Sequence, residues 1–266
     1  MRRVLVLAVA LALVGAFAGH SSSRTHTDAT QLTLWAWERP EDLRFLDDAP
    51  GTRHRAPGTA PGTEHHAPGT RAVRVGFLDR TVRFDDGRMT VRYRQQPLLV
   101  SPDTPLMSVV RVETRGRAPG ISQADATAAL VVKAVHAPSV AAVQIDFDAR
   151  SSDRPFYAAL LKCVRGSLPR EIPLSITALA SWCMDDPWID PRDVDEIVPM
   201  LFQMGPDARH VLTRLDEDGR WPVAACNGSA GLATDERHDR LPPAHSVYVF
   251  NPRAWTADDL RALPGN

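Results

Sequence analysis

Eight short apolar segments, each followed by turn or helix signals, set the main constraint on this chain. They fall at 31–38, 72–78, 107–113, 142–148, 174–182, 197–203, 223–227 and 246–251. Apolar runs of this length bounded by turn residues read as strands, and strands alternating with helical patterns read as βα units around a parallel sheet. The helical segments have recognisable starts. Ser122-Gln123-Ala124-Asp125 opens a helix reaching to His136, Asp153 and Pro155 open the next, and Thr256 with Asp259 forms a capping box near the C-terminus. After the second strand, 81–84 and 89–93 flank Asp85-Asp86-Gly87, which reads as a β-hairpin excursion. Eight evenly spaced units in 266 residues predict an α/β fold, a (β/α)8 TIM-like barrel, which typically needs about 250 residues. An open doubly wound sheet is the competing arrangement, with its ligand at a reversal of strand order. A barrel instead places functional groups at the C-terminal ends of the strands.

The ends of the chain and its composition narrow the setting. Arg2 and Arg3, the apolar run 4–17 and the small-x-small Ala16-Phe17-Ala18 predict a signal peptide over 1–18, followed by a flexible segment over 19–30. The expected location is therefore secreted or periplasmic, in a bacterium, with no stable membrane insertion after cleavage. Residues 31–266 are expected to form one barrel domain. Within it, 49–70 is a low-complexity insertion after the first strand, carrying four copies of APGT with His65 and His66 between them. Such Pro- and Gly-rich sequence cannot bury a core and predicts a disordered surface loop.

A formal net charge of −1 gives no reason to expect nucleic acid as a partner. Only two of the 31 basic residues are Lys, and neither GxxxxGK[ST] nor GxGxxG occurs, so no cofactor is expected. Cys163, Cys183 and Cys226 lack CxxC spacing, and no metal centre is expected, although Asp146 and Asp148 together have the chemistry to take a divalent ion. Cys163 falls within a helix and reads as packing. Cys183 and Cys226 both follow strand-like runs and can meet at one end of a sheet, but connectivity does not follow from sequence.

The strand-end rule then selects a constellation. Period-2 alternation puts Gln144, Asp146 and Asp148 on one face of the fourth strand and Val143, Ile145 and Phe147 on the other. The apolar set should lie under helices, so the polar set faces the barrel axis. Arg111 and Glu113 share a face on the neighbouring strand. Trp35, Trp37 and Glu38 end the first strand, Trp182 and Asp185 the fifth, and Gln203 the sixth. Buried carboxylates cost several kcal/mol unless paired, so such a gathering needs either an internal Arg network or a ligand. Asp146 is expected to be held by a fixed partner such as Arg111, with Asp148 nearer solvent. The constellation points to carboxylate chemistry on a polysaccharide or oligosaccharide: Asp148, Asp146 and Glu113 as catalytic candidates, and Trp35, Trp37, Glu38, Arg111, Gln144, Trp182, Asp185 and Gln203 as substrate contacts. The competing function is a non-catalytic glycan-binding or envelope-scaffold barrel. A monomer is expected in either case.

The strings LWAWERPEDLRFL (34–46), GFLDRTV (76–82), QIDFDAR (144–150), PLSITALASWC (173–183) and DEIVPMLFQMG (195–205) resemble an exported bacterial family known only as a domain of unknown function. The resemblance covers 31–205 and implies a glycoside-hydrolase-like TIM barrel without an assigned activity; the APGT insertion departs from it. Asp146-x-Asp148 also resembles part of the DxDxE signature of chitinase-type glycoside hydrolases, in which the Glu is the general acid. Here Arg150 stands at that position. An Arg cannot donate a proton at neutral pH, which leaves the acid role to Asp148 or Glu113.

Overall fold

The computed structural model describes residues 31–48, 72–137, 139–236 and 242–263. The predicted signal peptide and flexible segment (1–30) and the APGT insertion (49–70) lie outside them. The strands are β1 (Gln31–Ala36), β2 (Glu41–Asp42), β3 (Val73–Asp85), β4 (Arg88–Tyr93), β5 (Leu98–Leu99), β6 (Leu106–Arg115), β7 (Val140–Asp146), β8 (Leu174–Leu179), β9 (Glu196–Met200), β10 (Ser229–Ala233) and β11 (Ser246–Phe250). The helices are α1 (Ala124–Lys133), α2 (Arg154–Ser167), α3 (Ala180–Met184), α4 (Ala208–Asp218) and α5 (Ala257–Arg261).

Parallel pairing runs β1-β3-β6-β7-β8-β9-β10-β11, and β1 pairs with both β3 and β11. That double pairing closes the sheet, so the fold is a closed eight-stranded parallel barrel and not the open doubly wound sheet. Alternation along β7 sends Val143 and Ile145, with Phe147 just beyond, outward into a buried cluster that includes Val131 of α1 and Phe156, Leu160 and Val164 of α2. The inward residues Trp35, Met107, Val109, Ala142, Val198 and Tyr248 fill the barrel. Toward the N-terminal end of the barrel, Arg74 donates to Thr33 Oγ1 (3.2 Å) and to the Tyr248 hydroxyl (2.8 Å), while Glu196 accepts from Ser229 (2.6 Å) and from Tyr248. A network that links Arg74 to Glu196 through Tyr248 therefore lies at the end opposite the candidate catalytic residues.

Two expectations need correction, and a third, the hairpin, is borne out with a difference. The predicted strand 174–182 stops at Leu179 and turns into α3, because Ala180, Trp182, Cys183 and Met184 continue the apolar run as the buried face of a short helix. An apolar run alone does not distinguish these two states. The predicted strand 223–227 is instead a tight loop. Asn227 accepts the Trp221 N–H and donates to the Trp221 carbonyl, each at 2.8 Å, and the strand itself begins at Ser229. Finally, no helix lies between β3 and β6 among the described residues. The hairpin is part of β3 itself: the strand runs on past the barrel and returns as β4 through Asp86 and Gly87, whose φ values of 50° and 83° form the primed turn that suits a two-residue hairpin. Gly87→Val should cost about 1 kcal/mol or more in a thermal melt, since an L side chain is strained there.

Cys183 of α3 and Cys226 of the Asn227-clamped loop form a disulfide. Cys163 is free and half-buried in α2, its thiol 3.1 Å from Asp125 of α1, whose carboxylate pushes the thiol pKa up. Among the described residues, no helix is long and apolar enough to cross a membrane.

Candidate active site

At the C-terminal end of the barrel, a cavity of about 240 Å³ opens among the ends of β1, β6, β7, β8, β9 and β11. Its floor is Trp35, whose indole N–H donates to Gln144 Oε1 (2.8 Å) while the Gln144 amide donates to Ser175 (3.0 Å). Gln144 is fully buried, so both bonds hold it in one orientation. Above it, Asp146 accepts from Thr177 Oγ1 at 2.8 Å, and its other oxygen lies 3.9 Å from Arg111 Nε. Its side chain is 13% exposed. Burial pushes the Asp146 pKa up, against the opposing pull of Arg111 and Thr177. Asp148, one strand repeat further, stands at the mouth. Its outer surface meets solvent, but withdrawal of the carboxyl from water against the cavity wall, reinforced by the Asp146 charge, pushes its pKa up to about 6.

The remaining wall is aromatic and apolar. Phe202 and Phe250 stack at 5.9 Å, Trp37 meets Phe250 edge-on at 6.1 Å, and Leu179, Met200 and Met204 complete the apolar surface. Arg111 lies over Trp37 at 5.6 Å. With Arg111, Gln144, Asp146, Asp148, Thr177, Ser181, Gln203 and Asp207 also in the lining, the recess is half aromatic and apolar and half polar. Among the described residues, no group of three or more His, Cys, Asp or Glu is placed to hold a metal ion.

Trp35, Trp37, Arg111, Gln144, Asp146, Asp148 and Gln203 line this cavity together. Four expected residues do not. Glu113 is drawn away by two guanidinium groups, Arg83 at 2.6 Å and Arg111 at 3.2 Å. Glu38 pairs with Arg92 of the hairpin. Trp182 is buried against Trp188 and Tyr157 because its segment is helix and faces the core. Asp185 sits on the surface, 2.7 Å from His210 Nε2. Asp146 has Thr177 as its close partner and Arg111 only as a distant one, contrary to the expected fixed Arg111 pair. Arg111 keeps Glu113 and is 34% exposed, so Asp146→Ala would not leave a buried unpaired cation. Sequence reasoning missed Thr177, Phe202, Phe250 and Asp207. The strand-end rule contains the signal for Thr177, Phe202 and Phe250, which lie at or just beyond the ends of β8, β9 and β11; Asp207, in the turn before α4, lies outside its reach.

No curated protein matches this chain. Among solved structures, the crystal structure of the Bacillus cereus spore cortex-lytic enzyme SleL is similar, with 16% identity over 81% of this chain and a TM-score of 0.39. The chain spans 55% of that protein's length. Residues 102–201, the stretch from β6 to just beyond β9 that carries Arg111, Asp146 and Asp148, match the family described as Domain of unknown function (DUF3142).

Proposed function

We propose that the protein is an exported glycoside-hydrolase-like enzyme acting on a cell-envelope or extracellular polysaccharide. One observation carries this reading: two carboxylates from alternate positions of one strand end occupy the same aromatic-walled cavity in different environments. Glycoside hydrolysis needs such a division, one carboxyl protonated to donate to the leaving oxygen and one ionised to face the cationic sugar carbon or activate water. Asp148, half-protonated at a pH of about 6, takes the acid role. Asp146 takes the second, its ionised form favoured by Thr177 and Arg111 against the opposing push of burial. Glu113, neutralised by two Arg residues, is set aside. Trp37, Phe202 and Phe250 supply apolar surface for sugar rings.

The test is reducing-end release from a panel of envelope and extracellular glycans. Asp148→Asn should lower kcat on the responsive glycan about a hundredfold, the loss associated with a missing general acid. Wild-type kcat should fall as pH rises above about 6, because the charges facing Asp148 are Asp146 and Arg111 and the acid form is lost there. Stability should fall over the same rise in pH. A carboxyl with a folded-state pKa raised above 3.8 stabilises the fold at low pH, and that contribution is lost as pH climbs from 3.8 through about 6. Asp148→Asn should therefore melt above wild type at pH 7.5, with the gap closing at pH 4. No cleavage of any panel member would sink the catalytic reading.

One observation favours the non-catalytic alternative. Arg150 stands where the chitinase-type motif has its acid and turns away to Asp153 (2.9 Å) and Thr114 (3.2 Å). Glycan binding without turnover, in wild type and Asp148→Asn alike, would support that barrel.

A further inference from the structure

The cavity lining is unbalanced in charge. Asp146, Asp148 and Asp207 face it from the ends of β7 and the loop after β9, and among the described residues Arg111 is its one cationic lining residue. That guanidinium is already matched by Glu113 at 3.2 Å. Glu113 is shared with Arg83 at 2.6 Å, and even with Asp148 protonated two carboxyl groups remain in the lining against this one guanidinium. Asp207 is exposed at the start of α4, in the segment that follows β9, the next strand but one from β7. The rest of the wall, Phe202, Phe250 and Met204, supplies no positive charge.

We propose that this site takes a polysaccharide bearing free, protonated amines, such as a de-N-acetylated hexosamine polymer, with Asp207 as the residue that sets the preference. The proposal rests on the glycan-directed reading of the same cavity. An ammonium group entering the cavity that Asp207 lines with the Asp146–Asp148 pair gains favourable interaction with these carboxylates in a partly desolvated recess. A uronate or phosphate group brings a further negative charge into an unmatched field, the kind of juxtaposition that excludes wrong partners. A neutral N-acetylated sugar does neither. The aromatic wall then serves the apolar sugar faces, and the carboxylates select for the substituent.

Calorimetric titration of the mature protein at low salt with hexamers of glucosamine, N-acetylglucosamine and galacturonate tests this. The glucosamine hexamer should bind about tenfold more tightly than the N-acetylated one, an advantage that added salt reduces. The galacturonate hexamer should not bind. Asp207→Asn, checked by its melting curve, should bring the two hexosamine affinities within about threefold of each other. Equal or tighter binding of the N-acetylated or acidic hexamer, or a preference unchanged in Asp207→Asn, would overturn the proposal. If a neutral glycan is bound or cleaved without this preference, the glycan-directed reading stands and only the charge selection falls. If none of the three binds, the charge selection falls, and the wider panel decides the glycosidase reading separately.

Discussion

Replacing both Cys183 and Cys226 with Ala should lower stability by about 4 kcal/mol, the loop-closure value for a 43-residue separation. The bridge ties α3 to the loop before β10, two segments with few regular backbone bonds between them. Ala180 and Ser181 of α3 line the cavity, and Trp182 of the same helix packs on Tyr157 and Trp188. Loss of the bridge should therefore be felt at the site as well as in the melt. Denaturant titration of the double variant, and of wild type with and without a reductant, measures the effect. The two should agree. A double variant as stable as wild type would mean that the Asn227 clamp on Trp221 already fixes the loop, leaving the disulfide little entropy to remove.

The same pair of cysteines illustrates what could be read from the sequence and what could not. Their positions after two apolar runs pointed to one end of a sheet; they do bond to each other, but from α3, which follows β8, to the loop that leads into β10. The reason first assigned was incorrect, because neither run ends as a strand: one becomes α3 and the other is a 3-10 turn. The β7 segment was legible because alternation of Gln, Asp and Asp against Val, Ile and Phe admits one register in a barrel covered by helices. β10 was not. Its sequence, SAGLA, has no β-branched residue and a central Gly, so nothing in local propensity marks it as a strand. Glu113 was misread for a different reason. Its face was correct, but the partner that removes it, Arg83, lies on the part of β3 that looked like a separate hairpin.

The glycine that hides β10 is explained by the floor of the site. Trp35 occupies the barrel interior between β3 and β10. A Cβ at Gly231 would lie 3.2 Å from the indole Cη2 and 3.4 Å from the Pro199 carbonyl, and one at Gly76 would lie 3.0 Å from the indole Cδ1. Two side chains are thus omitted to admit one large ring. Trp35→Ala should cost about 5 kcal/mol: about 3–5 for the emptied volume, plus the penalty for leaving Gln144 Oε1 buried without its donor. Trp35→Phe keeps most of the volume and loses the hydrogen bond, so it should fall between Trp35→Ala and wild type. Gly231→Ala tests the arrangement from the other side. In the wild-type background the new methyl meets the indole and should destabilise by about 1–3 kcal/mol, as overpacking does. In a Trp35→Leu background the same methyl enters vacated space and should be neutral or favourable. A double-mutant cycle from chemical melts should then give a coupling of at least about 1 kcal/mol between positions 35 and 231. Additive losses would mean that Gly231 is required by its backbone contact with Pro199 alone, and the cavity floor would have to be explained without the ring that now defines it.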